Sequence, residues 1–168
     1  MTAIIYALVC LVLIAIDQGI KLIVAQYLEP VEYVNVIDNV LRFRYVENTG
    51  AVFGSFADHT LALTIFSIVL VVFVIVYLAK NKNQSKFIDM CLLLLLSGGL
   101  GNIIDRIRLH YVIDYIEPLF VNFAVFNFAD CLVTVGAFAL IIRLIYEIVV
   151  DYKNEKKQKV TEMADGTD

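Results

Sequence analysis

This sequence predicts an all-α integral membrane fold, with four spanning helices and a small antiparallel sheet on one membrane surface. Three observations carry that reading. The 168 residues are 61% hydrophobic and only 18% charged, too apolar for a soluble domain of this length. Four apolar stretches are each long enough to cross a hydrocarbon core, which takes about 20 helical residues. Between the first two stretches, apolar and charged residues begin to alternate with period two.

The first span, residues 3–27, carries Asp17 and Lys21 and lacks a basic leader and a small-residue cleavage site. It is therefore expected to stay as a helix and not be removed as a signal peptide. A β-rich outer segment follows over about residues 31–58. In Val40-Leu41-Arg42-Phe43-Arg44-Tyr45 the alternation describes a strand with one wet face, and Ile37-Asp38-Asn39 suits a turn before it. Arg42 and Arg44 are expected as solvated strand residues, with lipid phosphate contact as the other option. Asn48-Thr49-Gly50-Ala51-Val52-Phe53-Gly54 allows a tight backbone path that could bind a peptide backbone or oxyanion, and is equally compatible with a hairpin turn.

The remaining spans are expected at 61–80, 87–104 and 128–150. Gly98, Gly99 and Gly101 in the third allow helices to approach closely. Residues 1–150 form one membrane-embedded domain, and the polar, lysine-rich tail 151–168 is expected to be disordered. Lysines concentrate in Lys80-Asn81-Lys82-Asn83-Gln84-Ser85-Lys86 and in the tail, which places both on the cytoplasmic side. Both termini then lie inside and the connections 28–60 and 105–127 outside. The sequence pI near 5.1 reflects the outer acids, and no basic patch suggests nucleic acid. Cys10, Cys91 and Cys131 lack metal-ligand spacing, and His59 and His110 stand alone, so neither metal nor cofactor is expected.

The ionisable residues near hydrocarbon are the functional candidates, because a charge there costs several kcal/mol unless paired, solvated or protonated. Asp17 and Lys21 are four apart and share a helix face, where they can form an ion pair. Lys21 can also snorkel toward headgroups. Anchoring of the helix and support of a site are both compatible with that pair. Asp105 and Arg106 fall where the third helix is expected to exit, and Arg106 could brace a carboxylate through its planar fork. Asp114 lies in an apolar segment expected to dip into the interface. Asn127 and Asp130, three apart, open the fourth helix, with capping as the plain reading of Asn127.

Two aspartates at close range cannot both ionise cheaply, so a pair comes to share one proton. An ionised member can activate water while its protonated partner polarises a carbonyl, which is the chemistry of water-mediated peptide hydrolysis. No serine–histidine or cysteine–histidine arrangement competes with it.

Asp17-Gln18-Gly19-Ile20-Lys21, Asn48-Thr49-Gly50-Ala51-Val52-Phe53-Gly54, Gly98-Gly99-Leu100-Gly101-Asn102-Ile103-Ile104-Asp105-Arg106, Val112-Ile113-Asp114 and Phe126-Asn127-Phe128-Ala129-Asp130 occur in that order. The ordered set resembles the lipoprotein signal peptidase (signal peptidase II) family over roughly residues 17–136. The resemblance implies a four-helix aspartic peptidase of the bacterial cytoplasmic membrane with an extracytoplasmic β-cradle and an outward-facing active site. Its implied substrates are prolipoproteins whose cysteine already carries a diacylglyceryl group, cleaved just before that cysteine. By the family pattern the catalytic dyad maps to Asp114 and Asp130. Asp17, Lys21, Asn48, Gly50, Asn102, Asp105, Arg106, Asn127 and Ala129 map to substrate-binding or supporting positions. No metal is implied, and inhibitors of the globomycin type are. Two other classes use membrane aspartates. A metal-dependent phospholipid transferase would need a denser Asp-Gly and Ala-Arg pattern, and a proton-coupled transporter would be larger and repeated.

Overall fold

The computed structural model describes residues 2–50, 60–81 and 85–165. Four helices and three strands follow in the order α1 (Thr2–Tyr27), β1 (Tyr33–Ile37), β2 (Leu41–Asn48), α2 (Thr60–Lys80), α3 (Lys86–Leu109), β3 (Val112–Pro118) and α4 (Phe128–Asp165). By length and composition α1, α3 and α4 can each cross a membrane, and the apolar stretch Thr64–Lys80 of α2 is shorter. The outward faces are apolar, with Leu11, Ile23, Phe66, Phe73 and Ile142 exposed. In water such a surface would be an aggregation patch, whereas hydrocarbon accepts it without loss.

α3 is the inner helix and packs most extensively on α4, then on α2 and α1. Its glycines explain the closeness. A Cβ on Gly98 would run into the Ala129 carbonyl, and one on Gly101 would lie 2.5 Å from Asp17 Oδ2. Cys10, Val71, Val74, Ile88, Leu92, Leu96 and Ile103 form one apolar cluster among α1, α2 and α3, with Leu100 packed against it. A second cluster, Val24, Leu28, Ile113 and Tyr115, glues the end of α1 to β3.

The sheet departs from the expectation of a hairpin confined to the segment after α1. β1 and β2 do pair across a turn in which Asn39 takes a left-handed φ of 59° and the Val40 N–H reaches the Ile37 carbonyl at 3.1 Å. A third strand, β3, joins antiparallel to β2, giving the order β1-β2-β3. Asp114 therefore sits on a strand and not in an irregular segment. Register also settles Arg42 and Arg44: both reach across to Glu117 on β3, at 2.6 and 3.1 Å. The hydrogen bond from Arg42 holds the Glu117 carboxyl below its ordinary range. The rest of the expected glycine loop, residues 51–54, and His59 lie outside the described residues.

Two helix ends also differ from expectation. α3 runs past 104 to Leu109, where His110 adopts φ 69° and its N–H caps the Arg106 carbonyl. Arg106 and Arg108 in the last turn complement the helix dipole, which favours the longer helix. α4 continues to Asp165 where a disordered tail was expected from 151. Lys, Glu, Gln and Ala are strong helix formers, and no glycine or proline interrupts them before Gly166.

The glycine contacts make a prediction. Gly98→Ala should lower stability by about 1–3 kcal/mol, because the atom in the way is backbone and cannot yield. Gly19, whose Cβ would meet nothing within 4 Å, should gain roughly 0.5–1 kcal/mol on conversion to alanine. Equilibrium unfolding in mixed micelles compares the two.

Candidate active site

The site is built upward from one buried cation. Lys21 on α1 is fully buried, as are Asp17 and Asp105. Its Nζ lies 3.0 Å from Asp17 Oδ2 and 2.8 Å from Asp105 Oδ2, and donates to Asn102 Oδ1 at 2.9 Å. Snorkelling toward headgroups, one of the sequence expectations, therefore does not occur: the packed faces of α1 and α3 give Lys21 a full set of acceptors. Gln18, which sequence reasoning passed over as a motif neighbour, closes the cluster. Its Nε2 donates to Asp105 Oδ1 at 2.9 Å and to Asp17 Oδ2 and the Gly101 carbonyl at 3.2 Å. The signal for it was its amide side chain beside Asp17, on the same side of α1 as Lys21.

Each carboxylate of the cluster also holds a backbone group from another element. Asp17 Oδ1 accepts from the Ala129 N–H at 3.1 Å, which pins the first turn of α4. Asp105 Oδ2 accepts from the Ile113 N–H at 3.3 Å, which pins β3. Ala129 is fully buried against the glycine face of α3. Asp114 and Asp130 stand immediately beyond these two anchors.

Asp114, on β3, is almost fully buried. Its Oδ2 accepts from Asn48 Nδ2 at 2.7 Å and its Oδ1 from Asn127 Nδ2 at 2.6 Å. Asn48 is oriented by the turn after β2, where the Gly50 N–H donates to its Oδ1 at 2.8 Å with Gly50 at φ 98°. Burial first, then the charge of Asp130, pushes the Asp114 carboxyl up from 3.8 to about 7; its hydrogen bonds from Asn48 and Asn127 oppose that rise.

Asp130 is held by a reciprocal cap at the start of α4. Its N–H donates to Asn127 Oδ1 at 3.0 Å, and its Oδ2 accepts from the Asn127 N–H at 3.1 Å. That is a capping box, so Asp130 has a local structural role that was expected of Asn127 alone. Asp130 Oδ1 accepts from Asn102 Nδ2 at 2.8 Å. Asn127 therefore touches both aspartates, with a further bond from its Nδ2 to Asn102 Oδ1 at 3.2 Å. The amide groups aimed at the two carboxylates are N–H donors, the opposite of the oxygen ligands that a hard cation requires.

Two grooves open on Asp130. One, of about 560 Å³, is lined by Asn48, Asp114 and the apolar side of Phe123, Phe126 and Val135. The other, of about 380 Å³, runs between α2, α3 and α4 and is lined by Phe66, Leu70, Arg106 and Val133 among others. Arg106, expected to brace a carboxylate, lines that second groove beside Asn102 and Asp130 and feels the charges of Asp130, Asp114 and Asp105, while its buried Nε has no hydrogen-bond partner among the described residues. All eleven residues singled out from the sequence thus lie in or beside one site, from Asp17 and Lys21 at its base to Asn48 and Gly50 at its rim.

The family model described as signal peptidase (SPase) II matches residues 9–146. A lipoprotein signal peptidase of Streptococcus agalactiae is 39% identical over 144 residues, covering 86% of this chain and 94% of the relative. One from Streptococcus pneumoniae is 36% identical over 143 residues, covering 85% and 94%. A solved structure described as a bacterial membrane enzyme determined by the in meso method superposes with a TM-score of 0.77 at 27% identity, covering 85% of this chain and 88% of the other. With a family match across most of its length and a site assembled from the residues that the match spans, this chain belongs to the signal peptidase II family and is a peptidase.

Proposed function

We propose that the chain is a membrane aspartic endopeptidase that removes signal peptides from diacylglyceryl-modified prolipoproteins, cutting just before the lipidated cysteine. One observation carries the reading: Asp114 and Asp130, from different elements, are bridged by Asn127 and line the same groove. Two carboxyl groups so joined can share a proton, which serine or cysteine chemistry would not require.

In this mechanism the peptide enters the larger groove with its scissile carbonyl between the two aspartates. The ionised carboxylate takes a proton from water as that water attacks the carbonyl carbon. The protonated carboxyl donates to the carbonyl oxygen, and as the tetrahedral intermediate collapses a proton passes to the leaving amine. The raised Asp114 carboxyl suits the proton-carrying role near neutral pH. Asn48 and Asn127 hold Asp114 in place, and Asn102 and the cap hold Asp130. The apolar lining from Phe123, Phe126 and Val135 suits an apolar signal peptide and acyl chains.

The membrane reading completes the proposal. α2 serves as a fourth span beside α1, α3 and α4, both termini are cytoplasmic, and the site faces outward in a bacterial cytoplasmic membrane. The lysine-rich connection around residues 80–86 and the lysines of the C-terminal segment support that orientation. Substrate reaches the site laterally from lipid, and inhibitors of the globomycin type would compete in the same groove.

Two experiments test this reading. Asp114→Asn and Asp130→Asn should each abolish cleavage of a lipidated precursor in a gel-shift assay, by at least about a thousandfold, with the variants still folded. Unchanged processing in both would overturn it. The second concerns pH. An aspartate raised from 3.8 to about 7 binds a proton in the folded state that the unfolded chain has released. Its contribution to stability is full below the unfolded value and is lost as pH rises toward about 7. Asp114→Asn should therefore raise the melting temperature relative to wild type more at pH 8 than at pH 5, measured in detergent; a difference independent of pH would contradict it.

A further inference from the structure

The bridging asparagines share a feature that hydrogen-bond distances alone do not express. An asparagine amide has one accepting oxygen and one donating nitrogen, and flipping it exchanges them. Around the aspartate pair each carbonyl oxygen is already occupied by a donor pointing away from the carboxylates. The Gly50 N–H occupies Asn48 Oδ1, the Asp130 N–H occupies Asn127 Oδ1, and Lys21 Nζ occupies Asn102 Oδ1. Among the described residues the three NH2 groups serve the aspartates and, for Asn127, the Asn102 oxygen. The donors on Asn48 and Asn127 are backbone groups, fixed by a turn and a cap. Those on Asn102 are side chains, Lys21 Nζ at 2.9 Å and Asn127 Nδ2 at 3.2 Å.

We propose that Lys21 is a positioning residue for the peptidase reaction: its ammonium locks the Asn102 carbonyl and so obliges the Asn102 NH2 to hold Asp130. The reversed amide would set NH2 against the Lys21 ammonium and against the Asn127 NH2, and would turn a carbonyl oxygen onto the Asp130 carboxylate. Three favourable contacts would become three repulsive ones, two of them, to Lys21 and Asn127, in a fully buried setting where each is strong. Lys21 cannot swing away, since Asp17 and Asp105 hold it from two other sides at 3.0 and 2.8 Å. Asp17 and Asp105 thus act at one further remove, by fixing Lys21. The lysine hydrogen-bonds to neither aspartate of the pair; its charge is felt at Asp114, and its contact with the pair runs through Asn102.

The inference rests on the aspartic peptidase reading and is testable apart from it. Lys21→Met keeps the length and apolar stem and removes the donor, while Lys21→Arg keeps a donor and the charge. Purified variants would be assayed on a diacylglyceryl-modified precursor in micelles, with kcat referred to folded protein by circular dichroism and gel filtration. Lys21→Met should lower kcat at least about tenfold with KM within about twofold, and Lys21→Arg should recover a third or more of the loss on a logarithmic scale. A folded Lys21→Met enzyme with kcat within twofold of wild type would overturn the proposal, as would a rise in KM at unchanged kcat. Should Lys21→Met fail to fold, the double variant Asp17→Asn/Lys21→Met keeps the net charge of the buried cluster, and Asp17→Asn alone is its reference. Equal kcat in those two would then overturn it. Inactive Asp114→Asn and Asp130→Asn with a fully active Lys21→Met would sink this inference only; active aspartate variants would sink the peptidase reading itself.

Discussion

A single ammonium group shared by two carboxylates, all out of reach of solvent, is the constraint on which the rest of the molecule depends. Removing three charges from water costs several kcal/mol per ion unless every lone pair and proton is used. Here they are used. Lys21 donates to Asp17, Asp105 and Asn102; Asp105 Oδ1 accepts from Gln18, Asp17 Oδ1 from the Ala129 N–H, and Asp105 Oδ2, which also faces Lys21, from the Ile113 N–H. Those last two bonds matter most, because they extend the grip of a helix–helix ion cluster to the start of α4 and to β3. Removing one partner would leave the others buried without compensation, so the cluster can be kept whole or lost but hardly trimmed.

The aspartate pair follows from that grip. Asp114 comes one residue after Ile113, and Asp130 one residue after Ala129, so each anchor sets the neighbouring carboxylate. The glycine face of α3 permits the approach. Gly101 leaves room for the Asp17 carboxylate and Gly98 for the Ala129 carbonyl, and a side chain at either position would crowd the Asp17–Ala129 contact. Local structure supplies the remainder: a capping box fixes Asp130, the sheet carries Asp114, and a turn after β2 orients Asn48. Two apolar grooves meet at Asp130, and the larger also opens on Asp114.

Much of this was legible in the residues, and the parts that were not share a cause. The apolar runs disclosed the helices, and period-two alternation around Leu41–Asn48 disclosed β2. Val112-Ile113-Asp114-Tyr115 reads as a plain apolar run because all four residues are buried, so alternation has no contrast to show. The ion pairs of Arg42 and Arg44 were hidden because their partner, Glu117, lies 75 and 73 positions away and only strand register brings it near, although Arg44 keeps the solvent exposure expected of it. Lys21 could be assigned to a face with Asp17 by spacing, but spacing cannot say that α3 covers that face. The Asn127-x-x-Asp130 pattern did carry a cap signature, and reading it fully would have given Asp130 its structural role. Residues 151–165 were judged by polarity when helix propensity was the stronger term. Composition, in short, describes one element at a time, whereas the site is made of contacts between five.

The most direct test of the account is cleavage by the wild-type protein, reconstituted in lipid with excess chelator, of one precursor in two forms: diacylglyceryl-modified and unmodified at the cysteine. The account predicts that mass spectrometry finds a single cut, immediately before the lipidated cysteine, undiminished by chelator and absent from the unmodified form. Loss of cleavage in chelator, or equal cleavage of both precursors, would contradict it.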